Sequence, residues 1–289
     1  MINRNERFYV VIFWVLSILA LVSFGWMDLE FSQSVYAPAQ WTWWVENLAF
    51  LPAFLAAWLE SLLLTAYCFR IREGKVPALP LVIGFLSSVG LPIYAYWQVM
   101  QFLGRESGSD GWIMLICFLA LAIWAGMRII RDLSLKEEKK RINRALAGLL
   151  IFYTFWGLSL LLTYFWGRVS FREMAKIGDF GAFTPWFRPG SSRGSSMAPT
   201  TLALSFGVVI SNYLTSGHNR NQRNLLMLAG LIYGLLIGWA ALRNGSVYGS
   251  EITLMALLTF GVTLLGGFLF RKIRPRAAGE ALDIRHDGF

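Results

Sequence analysis

Eight long apolar runs separated by polar stretches set the layout of this 289-residue chain. They cover about 8–25, 48–69, 78–103, 111–130, 145–167, 199–214, 225–242 and 252–270. A helix that crosses the hydrocarbon core of a bilayer needs roughly 20 largely apolar residues. On that measure each run predicts a transmembrane helix, and the sixth is the shortest. The third run contains Pro80, Gly84, Gly90 and Pro92, which predicts a kink or break. The seventh carries Gly230, Gly234 and Gly238, a spacing that lets another helix approach closely. The expected fold is an all-α polytopic membrane protein of about eight transmembrane helices. Residues 1–144 are expected to hold about four spans and a cytoplasmic connector, 145–270 the remaining spans, and 271–289 a cytoplasmic tail.

Composition supports this pattern. The chain is 56% apolar and only 15% charged, whereas soluble domains are about a quarter charged. A net charge of +9 would point to nucleic acid in a soluble protein. Here the cations flank apolar runs, so no nucleic-acid partner is expected. With the N-terminus cytoplasmic, 19 of the 26 Lys and Arg residues fall in inside segments and 7 in outside ones. That bias places both termini in the cytoplasm and the protein in the cell (plasma or inner) membrane. Segment 26–47, with Asp28, Glu30, Glu46 and no cation, reads as an ordinary outer loop. Cys68 and Cys117 both lie inside apolar runs without metal-ligand spacing, and neither a metal nor a cofactor is expected.

Two features depart from this plan. The outward stretch 166–202 carries Arg168, Arg172, Lys176, Arg188 and Arg193 against Glu173 and Asp179. Such a concentration of cations outside suits anion binding, or anchoring at the interface. Glu60 lies in the middle of the second run, where a bare carboxylate is costly and is usually paired or protonated.

Residues 150–270 carry Trp166-Gly167-Arg168-Val169 with Phe171-Arg172-Glu173, then Phe183-Thr184-Pro185-Trp186-Phe187, then Gly245 with Ser250-Glu251. In these motifs and their order this part of the chain resembles the type 2 phosphatidic acid phosphatase and haloperoxidase superfamily, in its bacterial membrane branch. The resemblance implies a helical phosphatase-like core acting on lipid phosphates or polyprenyl diphosphates at the outer face. The reactive residues do not carry over. Thr163 and Ser170 stand at the first motif's Lys and Arg, and Thr201 at the second motif's His. At the third motif, Ala241, Val247 and Glu251 occupy the Arg, His and Asp positions. That chemistry needs one imidazole as nucleophile and another as acid. The two histidines, His218 and His286, fall on the cytoplasmic side. The expectation is a catalytically inactive member that binds lipid or polyprenyl phosphate through Arg168, Arg172, Arg188 and Arg193, or supports an envelope-lipid partner. Two alternatives stay open: an active phosphatase with a non-standard site, and a structural subunit or transporter using Glu60.

Overall fold

The computed structural model describes residues 4–70, 78–104, 138–188 and 220–259, with isolated positions at 116, 120, 123, 124, 128 and 261. Helices α1 (Arg4–Val35), α2 (Gln40–Leu48), α3 (Phe50–Arg70) and α4 (Ala78–Phe102) form the N-terminal half. Helices α5 (Glu138–Trp166), α6 (Phe171–Ile177), α7 (Arg220–Arg243) and α8 (Gly249–Thr259) follow. Among the described residues there is no strand. Among the described residues four stretches are long and apolar enough to cross a membrane: Val11–Val35, Gln40–Phe69, Ala78–Phe102 and Ala145–Phe165. Only 11% of the most apolar window in Val11–Val35 is buried by protein, so a bilayer is the natural cover for the rest. The runs at 111–130, apart from isolated helical positions, and 199–214 lie outside the described residues, as does the 271–289 tail.

Segment 26–47 is not the loop that its acids implied. Helix α1 continues to Val35, α2 begins at Gln40, and only a short link separates them. The extension is held by packing: Phe31 and Val35 lie against Ala241, Leu242 and Val247, and Asp28 is turned inward and paired.

The core forms where α4 and α5 pack on α3. Phe54 sits at its centre, stacked on Tyr94 at 5.3 Å and edge-on to Phe152 at 5.2 Å. Trp156 closes the cluster against Tyr94 at 5.0 Å. Such offset and edge-to-face contacts add to the area buried. Helix α2 lies against α7, and the Tyr233 hydroxyl of α7 donates to the Ala49 carbonyl at 2.7 Å. Of the three glycines spaced along α7, Gly238 meets Ile252 of α8 so closely that an added Cβ would lie 3.0 Å from its Cγ2. That close approach is made within the fold.

Helix α4 runs through both of its prolines as one 25-residue helix. Pro80 falls in the first turn, where backbone N–H groups have no intrahelical partner anyway. Pro92 is interior, and its missing N–H frees the carbonyl four residues back, on Ser88. The Trp58 indole of α3 donates to that carbonyl at 3.2 Å. The expected break is thus answered from the neighbouring helix.

Candidate functional site

Four connecting segments meet at one end of the described bundle: the end of α1 with its link to α2, the 167–170 link, the turns at 180–188 and the 244–248 link. Their meeting point is Arg168. Its Nε donates to the Thr184 carbonyl at 2.7 Å, and Nη1 and Nη2 each donate to Asp28 Oδ2 at 3.1 Å. Nη1 also donates to Ser250 Oγ at 3.0 Å. Ser250 in turn bonds Asp28 through its backbone N–H, at 3.2 Å, and through its hydroxyl. The guanidinium lies 3.9 Å from the Tyr248 ring centroid and 5.3 Å from that of Phe183. Arg168 is 3% exposed and Asp28 1%. A buried charge is tolerable only when paired and hydrogen-bonded, and this one is both.

Tyr248 extends the hub. Its hydroxyl donates to the Val169 carbonyl at 2.8 Å. Burial holds that phenol well above the ordinary tyrosine range, while the Arg168 charge pulls it the other way. The hydroxyl therefore stays protonated and keeps its proton to donate.

Helix α6 begins beside this hub for a reason written locally. Ser170 caps it: its Oγ accepts from the Glu173 N–H at 3.3 Å, and Glu173 Oε2 accepts from the Ser170 N–H at 3.4 Å. This reciprocal pair satisfies two otherwise free donors. Gly178, at φ 76°, ends the helix with its N–H bonded to the Met174 carbonyl at 2.8 Å. The same helix sets Arg172, whose N–H donates to the Gly245 carbonyl at 2.8 Å. Gly245 has φ 68°, and a Cβ there would lie 2.9 Å from both Arg172 N and Tyr36 Cε2. Both the backbone conformation and the space call for glycine.

The Arg172 side chain borders a cavity of about 400 Å³ lined also by Pro38, Ala39, Gln40, Trp43 and Asn244. Behind it runs a buried polar chain. The Thr42 hydroxyl donates to Asn244 Oδ1, and Asn244 Nδ2 donates to Glu46 Oε2, both at 2.7 Å. Glu46 Oε1 is 3.7 Å from Arg172 Nη2, an ion pair longer than a hydrogen bond.

The residues singled out in the sequence divide as follows. Arg168 faces inward, with four of its five N–H donors used by Thr184, Asp28 and Ser250. Arg172 faces the cavity. Arg188 is exposed at the end of the turns, and Arg193 and Thr201 lie outside the described residues. Thr163 bonds back along α5 to the Ser159 carbonyl at 2.8 Å. Ser170 is the α6 cap. Ala241 and Val247 are buried in the apolar cluster with Phe31, Val35 and Ile252. Glu251 Oε2 accepts from the Tyr248 N–H at 3.1 Å, and its Oε1 lies 3.8 Å from Arg168. Glu60 lies apart from this end, half-buried on α3, with its carboxyl group beside Gly148 of α5. The residues that complete the site and that sequence reasoning missed are Asp28, Glu46, Asn244 and Ser250. The Ser170-x-x-Glu173 spacing was a readable signal for α6; nothing local announced the long-range pairings.

Among the described residues no group of three His, Cys, Asp or Glu side chains is placed to hold a metal ion. What the arrangement offers chemically is one half-exposed guanidinium on an open cavity with an apolar wall. Comparisons with protein-family models, curated proteins and solved structures each find no match for this chain.

Proposed function

We propose that this membrane protein is a phosphatase-like but catalytically silent member of the type 2 phosphatidic acid phosphatase and haloperoxidase superfamily. It binds a lipid or polyprenyl phosphate at the outer face of the cell membrane without cleaving it, or presents that lipid to a partner in envelope-lipid metabolism. The observation that carries this reading is the Arg172 guanidinium on the cavity beside Trp43 and Asn244. A guanidinium is always charged and presents a planar fork of donors suited to phosphate oxygens. The three segments behind the resemblance meet nearby at Arg168, through its contacts with Thr184 and Ser250, and the Arg172 backbone joins them through Gly245. At the first motif's Arg position and the third motif's Arg and His positions stand a helix cap and two buried apolar side chains, Ser170, Ala241 and Val247. Neither Ala241 nor Val247 can attack phosphorus or protonate a leaving oxygen, and the Ser170 oxygen is engaged in the α6 cap.

The test is lipid binding by the purified protein in nanodiscs. Polyprenyl phosphate is expected to bind, with no release of inorganic phosphate over hours. Arg172→Ala is expected to weaken binding about tenfold, the usual loss for one charge-assisted hydrogen-bonding partner. Equal binding by wild type and Arg172→Ala would remove the cavity from the proposal. Phosphate release that depends on Arg172 would replace it with a hydrolase.

A further inference from the structure

The cavity wall carries one cation, Arg172, while the acid that balances it sits behind the wall. Glu46 is 8% exposed. One of its oxygens is fixed by the Asn244 amide at 2.7 Å, and Asn244 is held in turn by Thr42 at 2.7 Å. The other oxygen stops 3.7 Å short of Arg172 Nη2. That distance gives Coulombic attraction without a hydrogen bond. The Arg172 guanidinium, 32% exposed in its side chain, makes no side-chain hydrogen bond among the described residues. It therefore keeps its donors while Glu46 holds it in place.

The geometry points to a positioning and tuning role for Glu46: we infer that it is a fixed internal anion that orients Arg172 toward the cavity and competes with the anionic head group of the ligand. This rests on the binding function proposed above and adds how its affinity is set. Asn244 is central, because it keeps the carboxylate from closing on Arg172 and turning a loose pair into a tight one. The ligand class follows from the walls. Arg172, Asn244 and Gln40 make a polar end suited to a phosphate monoester, and Pro38, Ala39 and Trp43 make an apolar flank. Trp43 is part of an exposed row with Trp41 and Trp44, and Trp43 stacks on Phe102 of α4 at 4.3 Å. Exposed tryptophans of this kind sit at the boundary between lipid and water. The occupant is thus an amphiphile, with its phosphate at Arg172 and its chain leaving past Trp43.

The experiment measures binding of vesicles that contain a polyprenyl phosphate or a phosphatidic acid, with inorganic phosphate as competitor. Glu46→Gln keeps an acceptor for Asn244 and removes the charge. It is expected to bind about fivefold more tightly than wild type, the size of one partly screened ion pair. Asn244→Ala releases the carboxylate toward Arg172 and is expected to bind more weakly. A purely structural role for Glu46 predicts the opposite sign for Glu46→Gln, together with a lowered melting temperature. Equal or weaker binding by Glu46→Gln, with wild-type binding intact, overturns the tuning role and leaves the binding function standing. If Glu46→Gln does not fold, equal or tighter binding by Asn244→Ala overturns it instead. Absence of vesicle binding by every variant overturns both. Displacement by millimolar inorganic phosphate alone would make the ligand a free phosphate and overturn the amphiphile.

Discussion

Arg168 is charged, almost sealed from solvent and bonded through four of its five donors, so its energetics differ from those of an interfacial arginine. Desolvating both charges is expensive, and removing one partner leaves the other buried without compensation. Arg168→Met is therefore expected to cost about 3–5 kcal/mol. Asp28→Asn should also destabilise, and the double variant should lose less than the two single losses combined. Chemical denaturation in detergent micelles measures the coupling; strictly additive losses would show that the pair does not act as a unit. Arg168 stood out in the sequence because it interrupts the positive-inside pattern. Its destination did not, since Asp28 lies 140 residues away and no local spacing connects them. The same blindness applies to Asn244 and Glu46, which are joined across 198 residues.

At the scale of elements, apolar length was the legible signal. The runs at 48–69, 78–103 and 145–167 correspond closely to α3, α4 and α5. Boundaries failed where polar residues had tertiary partners. Helix α1 passes through Asp28 and Glu30 to Val35 because Asp28 has a cation waiting and Phe31 and Val35 have an apolar cluster. Helix α4 shows the same override at Pro92, where a local rule for breaking a helix is met by a donor from α3. Trp58→Phe removes that donor and is expected to destabilise by about 1–3 kcal/mol. In a Pro92→Ala background the new backbone N–H can bond the Ser88 carbonyl, so the same substitution should cost less. Thermal unfolding of the four variants gives the cycle. An equal cost in both backgrounds would mean that Trp58 contributes packing alone.

For the whole molecule, the unequal distribution of Lys and Arg predicts which side faces the cytoplasm, and that orientation decides which side the Arg172 cavity opens on. With Cys68 and Cys117 replaced by serine, single cysteines introduced by Arg188→Cys, or by Lys75→Cys in the predicted cytoplasmic segment between the second and third apolar runs, report it. A membrane-impermeant maleimide is expected to label the Arg188→Cys protein in intact cells, and the Lys75→Cys protein only after permeabilisation. The reverse pattern would put the Arg172 cavity on the cytoplasmic side and change the pool of lipids it meets.

The bond between Asp28 and Arg168 also bears on how the chain is made. The first helix leaves the ribosome carrying a carboxylate whose cation is encoded 140 residues later. At about 5–20 residues per second, that interval is on the order of ten seconds. Ser250, which completes the shell around Asp28, arrives 82 residues after Arg168. During that interval the Asp28 carboxylate lacks its partner and has to keep contact with water. The N-terminal helix can settle to its final depth only after the chain has been synthesised as far as Ser250. Insertion and folding are therefore separate events for this helix.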